Sequence, residues 1–169
     1  MSAQTLLISL FEYKAWANQG LIARLAQLGK LSSEVEFRMA VSLFNHAHIV
    51  DRIFGANLQC EKHAYSRTDS DDVPNLEDLF DATRDMDRWY IQYVTHLRDA
   101  DLMEAIAFSF TDGTPGKMSR EEMLGHVIAH GGYHRGEIGR ILTQLTGSSP
   151  RDTFTGFLHE VEPARRDEP

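Results

Sequence analysis

One cysteine among 169 residues, Cys60, has no partner for an intrachain disulfide, so stability must come from a packed core and the chain suits a reducing, cytoplasmic compartment. A lone thiol is more often a bystander than a nucleophile. No run reaches the roughly 18 unbroken apolar residues of a membrane span. The opening MSAQTLLISLFEYKAWANQG brings acidic and aromatic residues where a secretory leader carries basic and then apolar ones, so no signal peptide is expected. Lys and Arg number 17 against 25 Asp and Glu, are scattered, and leave a net charge of -8. That balance lacks the basic footprint a phosphate backbone requires. Neither nucleic acid nor membrane is an expected partner, which leaves a small-molecule substrate or ligand.

Hydrophobic residues at 42% and charged residues at 25% are ordinary globular values, and the length suits one domain over 1–165 with a polar tail at 166–169. Leu6, Leu10, Tyr13, Ala17, Leu21 and Leu25 recur at helical spacing and predict a first long helix ending near Gly29, with Trp16 widening its buried stripe. A second helix is predicted over about Val41 to Gln59. A third follows from about Leu76 to Arg98 with Asn75 as its cap, and its seam runs through Leu79, Thr83, Met86, Tyr90, Tyr93 and Leu97. Ile106, Phe108 and Phe110 alternate with small residues before Asp112 and Gly113, which predicts a short hairpin-like crossover. Ser119 and Glu122 form a capping-box pattern that starts a fourth helix, Arg120 to about Leu145, stopped by Gly147 and Pro150. A short helix near Asp152 to Val161 and a fraying tail complete the chain. The expected class is all-α: a four-helix bundle with a short extra C-terminal helix and a crossover between the third and fourth long helices.

The fourth helix carries HVIAHGGYHRGEI, three histidines four apart. At about 100 degrees per residue, His134 falls within the arc of Met123, Val127, Ile138, Ile141 and Leu145, and His130 lies at its edge. His126 lies about 40 degrees further round, on the side of Glu137, and about 12 Å from His134 along the axis, so one ion cannot readily take all three. In the second helix, NHAHIVDRIF puts His46 on the face of Leu43, Val50 and Ile53 and sends His48 about 160 degrees away. A single inward histidine is more often a hydrogen-bonded core residue than a ligand. Three inward rings without a shared partner would each cost about 1 to 3 kcal/mol, whereas one cation satisfies all three lone pairs. His46, His130 and His134 are therefore the expected metal ligands, in an open set that leaves room for water or substrate. Imidazole donors suit zinc or nickel, with iron or copper also compatible. The Glu-x-x-His pairs of a di-iron bundle are missing.

YKAWAN in the first helix, NHAHIVDRIF in the second, FTDG in the crossover and HVIAHGGYHRGEI in the fourth together resemble the DinB family, in that family's order and over nearly the whole chain. The family is similar in fold to mycothiol-dependent enzymes. The resemblance implies a four-helix bundle that binds a divalent metal through three side chains and often forms a homodimer. Carried over by motif, the second-helix ligand falls on His46, and the pair before Arg-Gly falls on His130 and His134. An aromatic position of the second helix that is often tryptophan is Phe54 here. Relatives include transferases and isomerases that use a small thiol, and members with no known reaction, so both a hydrolase or thiol transferase and a non-catalytic metal or ligand binder are expected classes. A purely structural dimer is the third.

Around these ligands the roles are less determined. Arg135 reads as a partner for an acidic neighbour or an anion, and Gly136 as a site of close helix approach. Glu137 reads as a general base or a solvated side chain, Tyr133 and Asp51 as residues that could orient a ligand ring, and His63 as a loop histidine that could line an entrance.

Overall fold

The computed structural model describes residues 2–31, 34–70 and 72–166. Helix α1 (Ala3–Gln27) is capped by Ser2 and followed by a 3-10 turn at Gly29–Leu31. Helix α2 (Val35–Leu58) begins six residues before the sequence pattern predicts, because Phe37 and Ala40 extend its buried face while no side-chain cap marks its start. Asn75 accepts hydrogen bonds from the Glu77 and Asp78 amides and starts α3 (Leu76–His96). The predicted third helix instead breaks after His96, and Asp99–Leu102 forms a separate short helix, α4, pinned by the Arg98 and Asp101 pair.

Strands β1 (Ala105–Ser109) and β2 (Pro115–Ser119) form the expected hairpin, with Gly113 supplying the positive φ of its turn. The predicted capping box of Ser119 and Glu122 starts α5 (Arg120–Thr146), which ends on Gly147 in the left-handed conformation. Helix α6 (Phe154–Val161) starts two residues later than predicted, where Thr153 caps it. Pro163–Arg166, expected to fray, forms a 3-10 turn. The rest of the predicted polar tail, 167–169, lies outside the described residues.

The strongest helix pairings are α2 with α5 and α1 with α3; α1 with α5 and α2 with α3 close the bundle, and α6 covers α1 through Tyr13, Trp16 and Phe157. Two apolar clusters fill the core, one built around Phe11, Tyr90, Met123 and Val127 and one around Leu25, Phe37, Phe80 and Ile138. Between them along the four long helices comes a buried polar layer: Lys14 and Asn18, His48 and Asp51, Thr83 and Asp87, and Arg135.

This layer corrects the first-helix stripe. The buried line of α1 runs through Leu7, Phe11, Lys14, Asn18, Leu21 and Leu25, whereas Leu6 is 42% exposed and Leu10 and Tyr13 are half-buried. An apolar count missed that line because two polar residues occupy its centre. The same holds on α3, where Asp87 takes the seam and Met86 and Tyr93 flank it.

Lys14 Nζ lies 2.6 Å from Asp51 Oδ2 and 2.7 Å from Asp87 Oδ1, and Asn18 donates to Asp87 Oδ2 at 2.9 Å. Burial pulls the Lys14 ammonium down, but the two carboxylates together outweigh it and hold its pKa above the ordinary value. Burial pushes Asp51 from 3.8 up to about 6, against the opposing pull of Lys14. A carboxyl raised on folding contributes stability at low pH that is lost as pH rises through the folded value. Asp51→Asn, neutral throughout, is expected to gain on the wild type by about 2 kcal/mol between pH 4 and pH 7 in urea unfolding. A difference that stays flat across that window would refute the raised pKa.

Candidate metal centre

Helix α2 brings in His46, and α5 brings in His130 and His134 one turn apart. His46 Nε2 and His134 Nε2 each lie 3.2 Å from His130 Nε2, and the three donors form one compact group within 4.8 Å. Tetrahedral zinc at about 2.05 Å from each imidazole separates its donor atoms by about 3.3 Å, so the spacing fits a shared ion. The three residues selected by helix face are therefore the three that the fold brings together.

The outer nitrogens fix the ring tautomers. His46 Nδ1 lies 3.0 Å from the Thr68 carbonyl and 3.1 Å from Asp69 Oδ1, both acceptors, so it carries the proton and leaves the Nε2 lone pair free. His134 Nδ1 donates to Glu137 Oε2 at 2.8 Å, with the same result. Those two lone pairs converge on His130 Nε2, whose single proton, if placed there, could satisfy only part of the demand. A cation satisfies all three. Burial, reinforced by His134, His46, His126 and Lys14, holds the His130 pKa down at about 4, so its ring is neutral and available as a ligand at pH 7. His130 Nδ1 is buried with no partner among the described residues.

Glu137 thus acts on His134 rather than standing free, and the spacing of three residues on one helix was the signal that could have found it. Glu137→Ala is expected to weaken metal binding by about 10-fold to 100-fold while leaving the circular dichroism spectrum unchanged. Titration calorimetry of the metal-free variant checks it, and an unaltered affinity would remove Glu137 from the centre. Thr68 and Asp69, on the long connection before α3, gave no sequence signal.

The remaining expectations fall out differently. His48, predicted to face away from the core, is only 7% exposed and sits 3.4 Å from the Thr83 hydroxyl, because α3 packs against this part of α2. Burial, reinforced by Arg52 and Lys14, lowers its pKa to about 4. His126 is exposed, with its ring stacked 5.3 Å from that of His130.

Asp51 belongs to the Lys14 cluster and orients no ligand; Tyr133 is 66% exposed, with its ring against that of His134. Arg135 has the structural role: it is buried, pairs with Asp152 at 2.9 Å and lies over the Tyr13 ring. A Cβ at Gly136 would meet nothing within 4 Å, so no close helix approach depends on that glycine; a Cβ at Gly131 would make ordinary contact with Lys14 Cε at 3.4 Å. Cys60 is exposed at the end of α2. His63 lines a cleft of about 610 Å³ between α2 and α3, on a different face of α2 from the histidine cluster.

The DinB family pattern matches residues 1–166. The chain belongs to the DinB family. Protein DinB of Bacillus subtilis (strain 168) is 28% identical to it over 155 residues, covering 85% of this chain and 88% of that protein. No solved structure matches it significantly. Among the described residues, no helix is long and apolar enough to cross a membrane.

Proposed function

We propose that this DinB-family protein is a divalent-metal-dependent enzyme, a hydrolase or a small-thiol-dependent transferase, with His46, His130 and His134 as the protein ligands. Zinc or nickel suits the three imidazoles best, and iron is compatible. The observation that carries the reading is the convergence of three Nε2 atoms from two helices, two of them with tautomers set by Thr68 and Glu137.

When bound, such an ion supplies Lewis acidity that lowers the pKa of an oxygen or sulfur nucleophile. The protein's own part is positional. Rings from two packed helices hold the donors in place, the Thr68 carbonyl and Glu137 carboxylate retain the outer ring protons, and three protein ligands leave a coordination position for substrate.

The reading is tested by metal analysis and reconstitution, followed by turnover of ester, amide and thiol-transfer substrate panels. About one metal per chain with metal-dependent turnover supports it. Stoichiometric metal with no turnover but tight binding of a small ligand would favour the non-catalytic binder. That second reading draws on Glu137 being engaged with His134 and on Cys60 lying at the far end of α2. A cytoplasmic homodimer completes the proposal, and light scattering that reports a monomer at micromolar concentration would remove the dimer.

A further inference from the structure

From the histidine cluster an aromatic wall extends along α2 toward the hairpin. The His130 ring lies 5.3 Å from His126, His126 lies 4.5 Å from Phe54, Phe54 lies 6.2 Å from Phe108, and Phe108 lies 5.0 Å from Phe110. Across the hairpin Gly116 pairs with Phe108, and a Cβ there would fall 2.6 Å from Phe108 Cζ and 2.9 Å from Phe110 Cε2. The missing side chain is what lets both rings lie over the strand.

Against this wall is a cavity of about 60 Å³, lined by Val50, Ile53, Phe54, Asn57, Phe108 and Phe110. Thr68, whose carbonyl meets His46 Nδ1, also lines it, so one residue connects the cavity with the histidine cluster. At about 10 to 15 Å³ for each water-sized position it has room for about four or five such groups, which suits one ring or a short alkyl chain. The far wall is polar. Asn57 is 6% exposed, and its Nδ2 has no hydrogen-bond partner among the described residues. An orphaned buried amide costs about 1 to 3 kcal/mol, a penalty that an acceptor on a ligand would offset. Asn57 lies about 16 Å beyond His46 along the axis of α2.

We propose that this groove holds the body of the substrate: an elongated molecule with a metal-binding group at one end, an aromatic or alkyl body along the phenylalanines, and a hydrogen-bond acceptor facing Asn57. The assignment rests on the metal-centre reading and names the substrate class for it. A hydrophilic substrate of only a few atoms would leave the wall and Asn57 unused.

The test is titration calorimetry on zinc-loaded protein with acetohydroxamic acid and 4-phenylbenzohydroxamic acid, which share a metal-binding head and differ in the body. The longer probe is expected to bind at least about tenfold tighter, the effect of burying one ring. Phe110→Ala, which removes an exposed ring, and Ser109→Trp, which obstructs the cavity from an exposed position, are expected to reduce that advantage below about threefold. Asn57→Leu is expected to raise the Tm of the ligand-free protein, because it deletes the orphaned donor.

Equal affinities for the two probes, or an advantage unchanged in both variants, would overturn the groove while zinc-dependent binding of acetohydroxamic acid still upheld the metal centre. A Tm that falls in Asn57→Leu would overturn the acceptor at Asn57. If neither probe depends on zinc, the metal reading fails and takes this inference with it.

Discussion

The His130→Ala, His134→Ala double variant is expected to lose stoichiometric metal altogether, with affinity reduced by at least about a thousandfold. A free energy of about 10 to 16 kcal/mol shared by four ligands is about 3 kcal/mol for each imidazole, and the variant keeps only His46. Elemental analysis and competitive titration give the number. The metal-free protein should keep nearly its wild-type Tm, since both rings are partly exposed and His130 Nδ1 is already unsatisfied. The rise in Tm on adding metal, present in the wild type by mass action, should vanish. Metal retained at one equivalent by the double variant would place the ion elsewhere and end the tris-histidine reading. A collapse of the metal-free variant would instead mark the histidines as core residues.

The second large effect lies in the polar layer. Lys14→Met should destabilise the protein by about 3 to 5 kcal/mol at pH 7, because Asp51 and Asp87 are left as buried carboxylates without their shared cation. Urea unfolding reads this as a lower midpoint. Adding Asp51→Asn and Asp87→Asn to the same chain should restore most of the loss, since a buried cluster replaced whole is often neutral or better. Lowering the pH should also partly rescue Lys14→Met. Burial already raises the Asp51 pKa against the pull of Lys14, so without the cation its carboxyl favours protonation in the folded state more strongly, and stability rises as pH falls toward its unfolded value. A loss under about 1 kcal/mol, independent of pH, would show that water reaches the cluster and that the layer contributes little.

The two experiments probe adjacent parts of one region. Lys14 is among the charges that lower the His130 pKa, and Gly131, one residue from His130, faces Lys14 Cε. The bundle thus places a buried ionic cluster beside the face where the three imidazoles meet. His46 and Asp51 belong to one stretch of α2, and His134 and Arg135 are consecutive on α5, so neighbouring positions serve the centre and the layer.

Local rules were enough for much of this. Four long helices, the caps at Asn75 and Ser119, the hairpin and the stop at Gly147 rest on interactions within a few residues, which the sequence displays directly. The shared face of His130 and His134 was legible for the same reason: two residues four apart on one helix must share a face. His46 was legible because its apolar neighbours marked the same kind of face on α2.

Tertiary structure decided what spacing cannot encode. Which helix covers which side of α2 determined that His48 is buried against α3, although its angle on the helix pointed away from the apolar stripe. The inward line of α1 passes through Lys14 and Asn18, and only the arrival of Asp51 and Asp87 from two other helices makes a buried ammonium tolerable. The carbonyl of Thr68 reaches His46, and Phe108 of the hairpin reaches Phe54, across long separations in the chain. Sequence determined the elements and the paired histidines because those depend on helical geometry; packing alone determined the charge partners, the carbonyl and carboxylate that meet the histidine rings, and the cavity beside the hairpin, because each joins segments that are remote in sequence.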